Sequence, residues 1–278
     1  MNFLIKILEL LNLKMTEPKP YGAFHLIAFA LAIVLGAFLC WKFKDPSEKT
    51  VKRILLIVSL TVIALEIYKQ VVFSFSYDGS TITFDYQWYI FPFQFCSMPM
   101  YVGLLAVLTK GVVHKAACAF LASYALFAGF CTMFYPADLF IDTIGVNVQT
   151  MVCHGTMLSV AIFLLGTKYV KGATRSILYA MPVFATALII AIILNELSAL
   201  TGFADGETFN MFFVSRHHEP SLAVYMIVQK YVAYPWCTII YFVGFSLAAY
   251  ILLLISTAIH KLVDLVSAKR KNKTLTPV

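Results

Sequence analysis

The stretch YGAFHLIAFALAIVLGAFLCW, Tyr21–Trp41, contains no Asp, Glu, Lys or Arg. As a helix rising about 1.5 Å per residue it covers about 30 Å, the hydrocarbon thickness of a bilayer. Similar runs follow at Ile54–Phe75, Trp88–Thr109, Val113–Tyr135, Val148–Thr167 and Ile177–Leu197. The run Ser221–Ile259 is too long for one span. It reads as a partly interfacial approach followed by a span over Tyr234–Ser256. Hydrophobic residues make up 61% of the 278 residues and charged residues only 13%. A soluble domain carries roughly 25% charged residues and could not hide so much apolar surface. The predicted fold is all-α: a polytopic membrane helix bundle of about seven transmembrane helices over residues 21–259. Pro92 and Pro99 fall inside its third span.

The flanks read differently. MNFLIKILELLNLKM carries Lys6 and Glu9 within its apolar run and no small-residue cleavage site. Residues 1–20 are therefore expected to form an interfacial amphipathic helix rather than a signal peptide. Residues 260–278 form a basic cytoplasmic tail ending in KRKNKTLTPV. That polar end is expected to be disordered and to lie near anionic lipid heads.

The net charge of +7 is spread through short loops, which fits membrane orientation rather than a nucleic-acid patch. One set of loops holds Lys42, Lys44, Lys49, Lys52, Arg53, Lys110, Lys115, Lys168, Lys171, Arg175, Lys261, Lys269, Arg270, Lys271 and Lys273. The alternate set holds only Lys6, Lys14, Lys19 and Arg216. The bias predicts an outside N-terminus and a cytoplasmic C-terminus in a multi-pass cell-membrane protein. The outer loops are instead acidic, with Asp78, Asp85, Asp138, Asp142, Asp205, Glu207 and Glu219. The six cysteines all lie in apolar runs without a CxxC pair, so no disulfide framework is expected.

Polar groups inside a bilayer are costly and tend to face the bundle interior. Counting depth along the spans, His25, Glu66, Gln94, Cys96, His154, Asn195 and Tyr234 fall near one level toward the outer side. The inner halves are nearly bare. Each residue also has a plain structural reading. Glu66 and Lys69 stand at i,i+3 and can neutralise each other. His25 can join helices through a backbone carbonyl, and Cys96 can pack as a small apolar group.

The chemical reading joins Cys96 to His154. A thiolate attacks acyl carbons, and a buried thiol needs a base to form it. His154 would take the thiol proton and then activate a lysolipid hydroxyl or water. Gln94 or Asn195 amides would steady the oxyanion. The expected partners are membrane lipids, and no cofactor is expected. Two other readings use the same residues. The chain could bind or transport lipid without chemistry, or His25, Glu66, Cys96 and His154 could hold zinc in a metal-dependent hydrolase. Arg216-His217-His218-Glu219 on an outer loop is a weaker metal candidate.

Several motifs in order resemble a known family: AFHLIAF with His25, ALEIYKQ with Glu66, and FPFQFCSMP with Pro92 and Cys96. FYPADLF and VCHGTML follow, with Pro136 and His154, then Asn195, FNMFFVSRHHEPS with Asn210, and YPW at Tyr234–Trp236. The chain resembles the YwaF-like integral membrane proteins, whose eukaryotic relatives include a transmembrane phospholipid acyltransferase. The resemblance implies a Cys96–His154 catalytic pair. It further implies substrate binding by His25, Glu66, Gln94, Asn195, Asn210 and Tyr234. Gln94 departs from the family pattern, where a histidine is more usual, and the Asn195–Asn210 segment is longer.

Overall fold

The computed structural model describes residues 2–136, 139–204, 206–219 and 222–274. Asp138, Asp205, Ser221 and the last four residues of the tail lie outside the described residues, as do the side chains of Lys269, Arg270, Lys271 and Lys273.

Six helical stretches are long and apolar enough to cross a membrane. They are α2 (Ala23–Lys42), α3 (Glu48–Ser74), the pair α5 (Gly111–Ala122) and α6 (Tyr124–Phe134), then α7 (Ile144–Gly166), α8 (Ala173–Thr201) and α10 (Trp236–Thr274). Two shorter helices flank them, α1 (Asn2–Leu11) and α9 (Ala223–Tyr231). Local chemistry sets several ends. Ser47 caps α3 by accepting the Thr50 N–H at 3.2 Å, with Glu48 in the first turn. Ser123 breaks α5 from α6 and turns its hydroxyl onto the Ala119 carbonyl at 2.6 Å. Pro235 separates α9 from α10, so the long seventh apolar run divides into an approach and a span as expected.

The central helix is α7. Some 72% of its most apolar window is buried, against 17% for α2, which therefore sits at the periphery. The α2–α7 seam is made by small residues: a Cβ on Gly36 would come within 2.8 Å of Ile162. Across the same seam the Ser159 hydroxyl donates to the Ala32 carbonyl at 2.7 Å. Lipid offers no hydrophobic drive for helices to associate, so close approach and interhelical hydrogen bonds hold such seams. Gly129 plays the same part between α6 and α7, where a Cβ would stand 3.0 Å from the His154 carbonyl oxygen.

The Trp88–Thr109 run departs from the expected helix. Only Met98–Leu108 (α4) is α-helical; two isolated 3-10 turns, Trp88–Ile90 and Phe95–Ser97, precede it. Pro92 and Pro99 account for this. Proline lacks an N–H, clashes with the preceding turn, and biases the residue before it away from helix. Pro99 is accommodated because it falls in the first turn of α4. Irregular backbone at membrane depth must find partners inside the protein. Here the Gln70 side-chain amide donates to the Ile90 carbonyl at 2.9 Å, and the Tyr101 hydroxyl to the Pro92 carbonyl at 2.7 Å.

Two further features were not foreseen. A small antiparallel hairpin, β1 (Phe75–Tyr77) and β2 (Ile82–Phe84), follows α3. Its turn uses Gly79 at φ 96°, with the Asp78 carboxylate accepting the Ser80 and Thr81 N–H groups at 2.9 and 2.8 Å. At the other extreme, α10 continues to Thr274, so residues 269–274 of the tail are helical rather than disordered.

Hydrogen bonds define two ends. The hairpin end gathers the 85–95 segment, the 203–219 loop, the start of α7 and the N-terminal segment, which is tied by Lys14–Asp142 at 2.8 Å and by the Tyr68 hydroxyl on the Leu11 carbonyl. The opposite, basic end joins the start of α3, the α4–α5 turn, the α7–α8 loop and the far part of α10.

Candidate functional site

All the expected site residues except His25 and Tyr234 fall into two neighbouring groups at the hairpin end. The first group is made of amides holding one loop. Asn195 at the end of α8 receives the Met211 N–H at 2.7 Å and donates to the Met211 carbonyl at 3.0 Å. Gln94 receives the Phe212 N–H at 3.1 Å and donates to the Asn210 carbonyl at 3.2 Å. Asn210 accepts the Ser215 N–H at 2.9 Å. These side chains fasten the 203–219 loop as a plug, with Met211 and Phe212 fully buried and the Phe212 ring 5.3 Å from Phe95. The plug thus packs directly on the turn that carries Cys96. Phe212 and Phe213 both adopt φ near 58°, a left-handed conformation that the surrounding bonds must hold.

The second group surrounds a buried ion pair. Lys69 meets Glu66 at 2.8 Å, the two side chains 15% and 8% exposed. Gln70 donates to the same carboxylate oxygen at 2.8 Å. Helix α3, which carries this pair, packs against α7, and Cys153 on α7 shares a buried cluster with Val62 of α3 and Met100 of α4. Cys96 is partly exposed and sits on the Phe95–Ser97 turn, which packs against α7, the helix of His154. His154 is buried, and its Nδ1 lies 2.8 Å from the Thr150 carbonyl. A carbonyl can only accept, so Nδ1 bears the proton and Nε2 is the basic nitrogen. Among the described residues Nε2 has no partner.

The other two buried histidines differ. His25 accepts the Tyr21 N–H on Nδ1 at 3.0 Å and donates from Nε2 to the Met133 carbonyl at 2.8 Å. It joins α2 to α6, and both ring nitrogens are engaged by backbone. His114 lies at the basic end, with Nδ1 donating to the Ala106 carbonyl and Nε2 accepting from the Tyr169 hydroxyl, each at 2.7 Å. Cys118 stands 3.6 Å from that Nε2, a cysteine–histidine contact that sequence reasoning missed. Its i,i+4 spacing on one helix was the available signal.

Beside the ion pair a groove of about 520 Å³ opens on the flank of α3, lined by Glu66, Gln70, Ser74, Tyr86, Pro92 and Tyr101 among others. Its walls are largely apolar. Two of its lining residues carry atoms, Gln70 Oε1 and Ser74 Oγ, that are buried without a protein partner among the described residues. A buried polar atom left so costs about 1–3 kcal/mol, so these positions invite a polar ligand group. Ser74 gave no sequence signal, since serine is common at helix ends.

Tyr234 instead covers Arg216, whose guanidinium lies 5.8 Å from the ring centre. Arg216 and His217 both reach Glu196, at 2.7 and 3.2 Å. This explains the charged loop cluster as a clasp between α8 and the plug. No three His, Cys, Asp or Glu side chains among the described residues converge as metal ligands would.

A family model described as the TMEM164 family matches residues 20–257, and the chain belongs to that family. Neither a curated protein nor a solved structure gave a significant match. With six membrane-length helices, the chain is a multi-pass membrane protein.

Proposed function

We propose that this member of the TMEM164 family is a membrane-embedded acyltransferase or lipid-ester hydrolase acting through a thioester on Cys96. The observation that carries the reading is the state of His154: Nδ1–H on the Thr150 carbonyl, Nε2 unpartnered among the described residues, on a helix that contacts the Cys96 turn. A general base needs that tautomer and that freedom. In the first half-reaction Nε2 takes the thiol proton as Sγ attacks the ester carbon. The lipid alcohol leaves with that proton, and the acyl group remains on sulfur. In the second, Nε2 deprotonates a lysolipid hydroxyl or water, which attacks the thioester and restores the thiol. Gln94 engages one amide hydrogen on the plug and keeps a second, two residues from Cys96, for the oxyanion. The apolar groove with its polar end at Glu66, Gln70 and Ser74 suits a lipid whose chains lie along α3.

The proposed topology has seven passages in the cell membrane, with the hairpin end outside and the basic end cytoplasmic. Fifteen loop or tail basic residues against four support it. The Trp88–Leu108 segment supplies the seventh passage. Its 11-residue helix α4 covers about 16 Å, and the broken stretch above completes the crossing inside the protein.

Purified protein incubated with a fluorescent phospholipid should form a hydroxylamine-labile adduct that Cys96→Ala abolishes and His154→Ala suppresses. An adduct that persists in Cys96→Ala, or none in the native protein, would sink the enzymatic reading. A second reading rests on the groove alone: a lipid-binding protein without chemistry. It predicts that Cys96→Ala binds phospholipid normally while no adduct ever forms on the native chain.

A further inference from the structure

The basic end holds a second concavity, remote from the thiol site, between the α7–α8 loop and the part of α10 beyond Leu253. Its volume is about 140 Å³, where about 10–15 Å³ suffices for a water. The floor is apolar, formed by Leu165, Val170, Ala173 and Leu253. The rim carries the ammonium groups of Lys168, Lys171 and Lys261 beside the His260 imidazole, with Asp264 as the one acidic lining residue among the described residues. Asp264 is engaged: both its oxygens take Lys168 Nζ, at 3.0 and 2.8 Å. Lys171 and Lys261 form no ion pair among the described residues, so the cavity keeps two uncompensated ammonium groups. The first turn of α8 begins at Gly172 on the same rim, adding the partial positive charge of a 29-residue helix.

Lys171 and Lys261 both line the cavity above its apolar floor, where an anionic group could accept charge-assisted hydrogen bonds from each. The floor is made by the ends of membrane helices, so the site sits where a lipid headgroup meets its chains. We propose that this cavity binds the phosphate group of an anionic membrane lipid, held by Lys171, Lys261 and the start of α8. The Lys168–Asp264 pair closes one side and fixes the loop to α10. The binding differs from that at the groove near Glu66, which offers no free cation to a phosphate.

The test is native mass spectrometry of the full chain in detergent with defined lipids. Phosphatidate should be retained about tenfold better than phosphatidylcholine, as one added charge-assisted contact implies. The double substitution Lys171→Gln/Lys261→Gln should erase that preference, whereas Lys171→Arg/Lys261→Arg and the exposed control Lys115→Gln should keep it. Equal retention of the two lipids by the native chain overturns the proposal. So does an undiminished preference in the Gln double variant. Inorganic phosphate distinguishes the source: if it displaces phosphatidate at concentrations equal to the lipid, the site takes free phosphate and the lipid assignment fails. The thiol adduct should form equally in the Gln double variant, so this test fails or succeeds independently of the Cys96 chemistry.

Discussion

Two cysteine–histidine neighbourhoods lie at opposite ends of the bundle, and they differ in what they leave unmet. At the basic end His114, Cys118 and Tyr169 form a closed set. The imidazole has both nitrogens engaged, His114 and Cys118 are 2% and 1% exposed, and the groups are held by one helix and an adjoining loop. At the hairpin end, among the described residues, His154 keeps a basic nitrogen without a partner, Cys96 is partly exposed, and Gln70 and Ser74 carry unpaired buried atoms beside a groove. The same residue types therefore do opposite things. A satisfied polar set joins helices: the Ala106 carbonyl, near the end of α4, needs a donor, and His114 supplies it. An unsatisfied set is unstable alone and gains from a ligand.

The largest effect that would break this contrast concerns turnover. His154→Ala should lower lipid-ester turnover by about 10²–10⁴-fold, the range expected for loss of a general base. His114→Ala should leave turnover of the folded fraction unchanged. Equal losses from both would mean that neither end is privileged.

Next in size is stability, where the order reverses. His114→Ala strands the Ala106 carbonyl and the Tyr169 hydroxyl, at a cost of about 1–3 kcal/mol each where they stay dry. Thermal unfolding in detergent should show a clear drop, larger than that for His154→Ala, because the Thr150 carbonyl lies inside α7 and keeps its helical backbone partner.

A smaller and more discriminating effect belongs to Ser74. Its hydroxyl has no partner among the described residues, so Ser74→Ala should leave thermal stability unchanged or raise it by up to about 1 kcal/mol. The same substitution should weaken phospholipid binding several-fold in a titration. A destabilised Ser74→Ala protein would show that the hydroxyl is satisfied after all, and the groove would lose half its argument.

The sequence made the membrane helices legible because twenty apolar residues have few other uses. Six of the seven expected spans appear within a few residues at most ends, with α3 starting earlier and α10 running well beyond its span. The third failed where Pro92 and Pro99 were visible but their combined effect on a whole helix was not. Depth along a span placed His25 and His154 at one level, yet only three-dimensional partners show that one is closed and the other open. Gln94, Asn195 and Asn210, expected as substrate-binding residues, fasten one loop. Their shared target is backbone, which carries no sequence signature.

The smallest expected effect tests the comparison on exposed ground. The Lys14 ammonium bonded to Asp142 holds that carboxyl below the usual aspartate range, with the Thr143 hydroxyl adding to it. Both partners are satisfied, as at the basic end, but each is about 60% exposed. Water can replace either partner, so satisfaction here should matter little. The sign is fixed by the depressed value. Docking of the N-terminal segment is fully supported above the ordinary aspartate pKa of about 3.9 and weakens as pH falls through the lower folded value. Limited proteolysis of residues 2–20 should therefore quicken only slightly on acidification below that point, and Asp142→Asn should remove the pH dependence. A large release on acidification below about pH 3.9 would show that burial is not what separates strong polar contacts from weak ones in this protein.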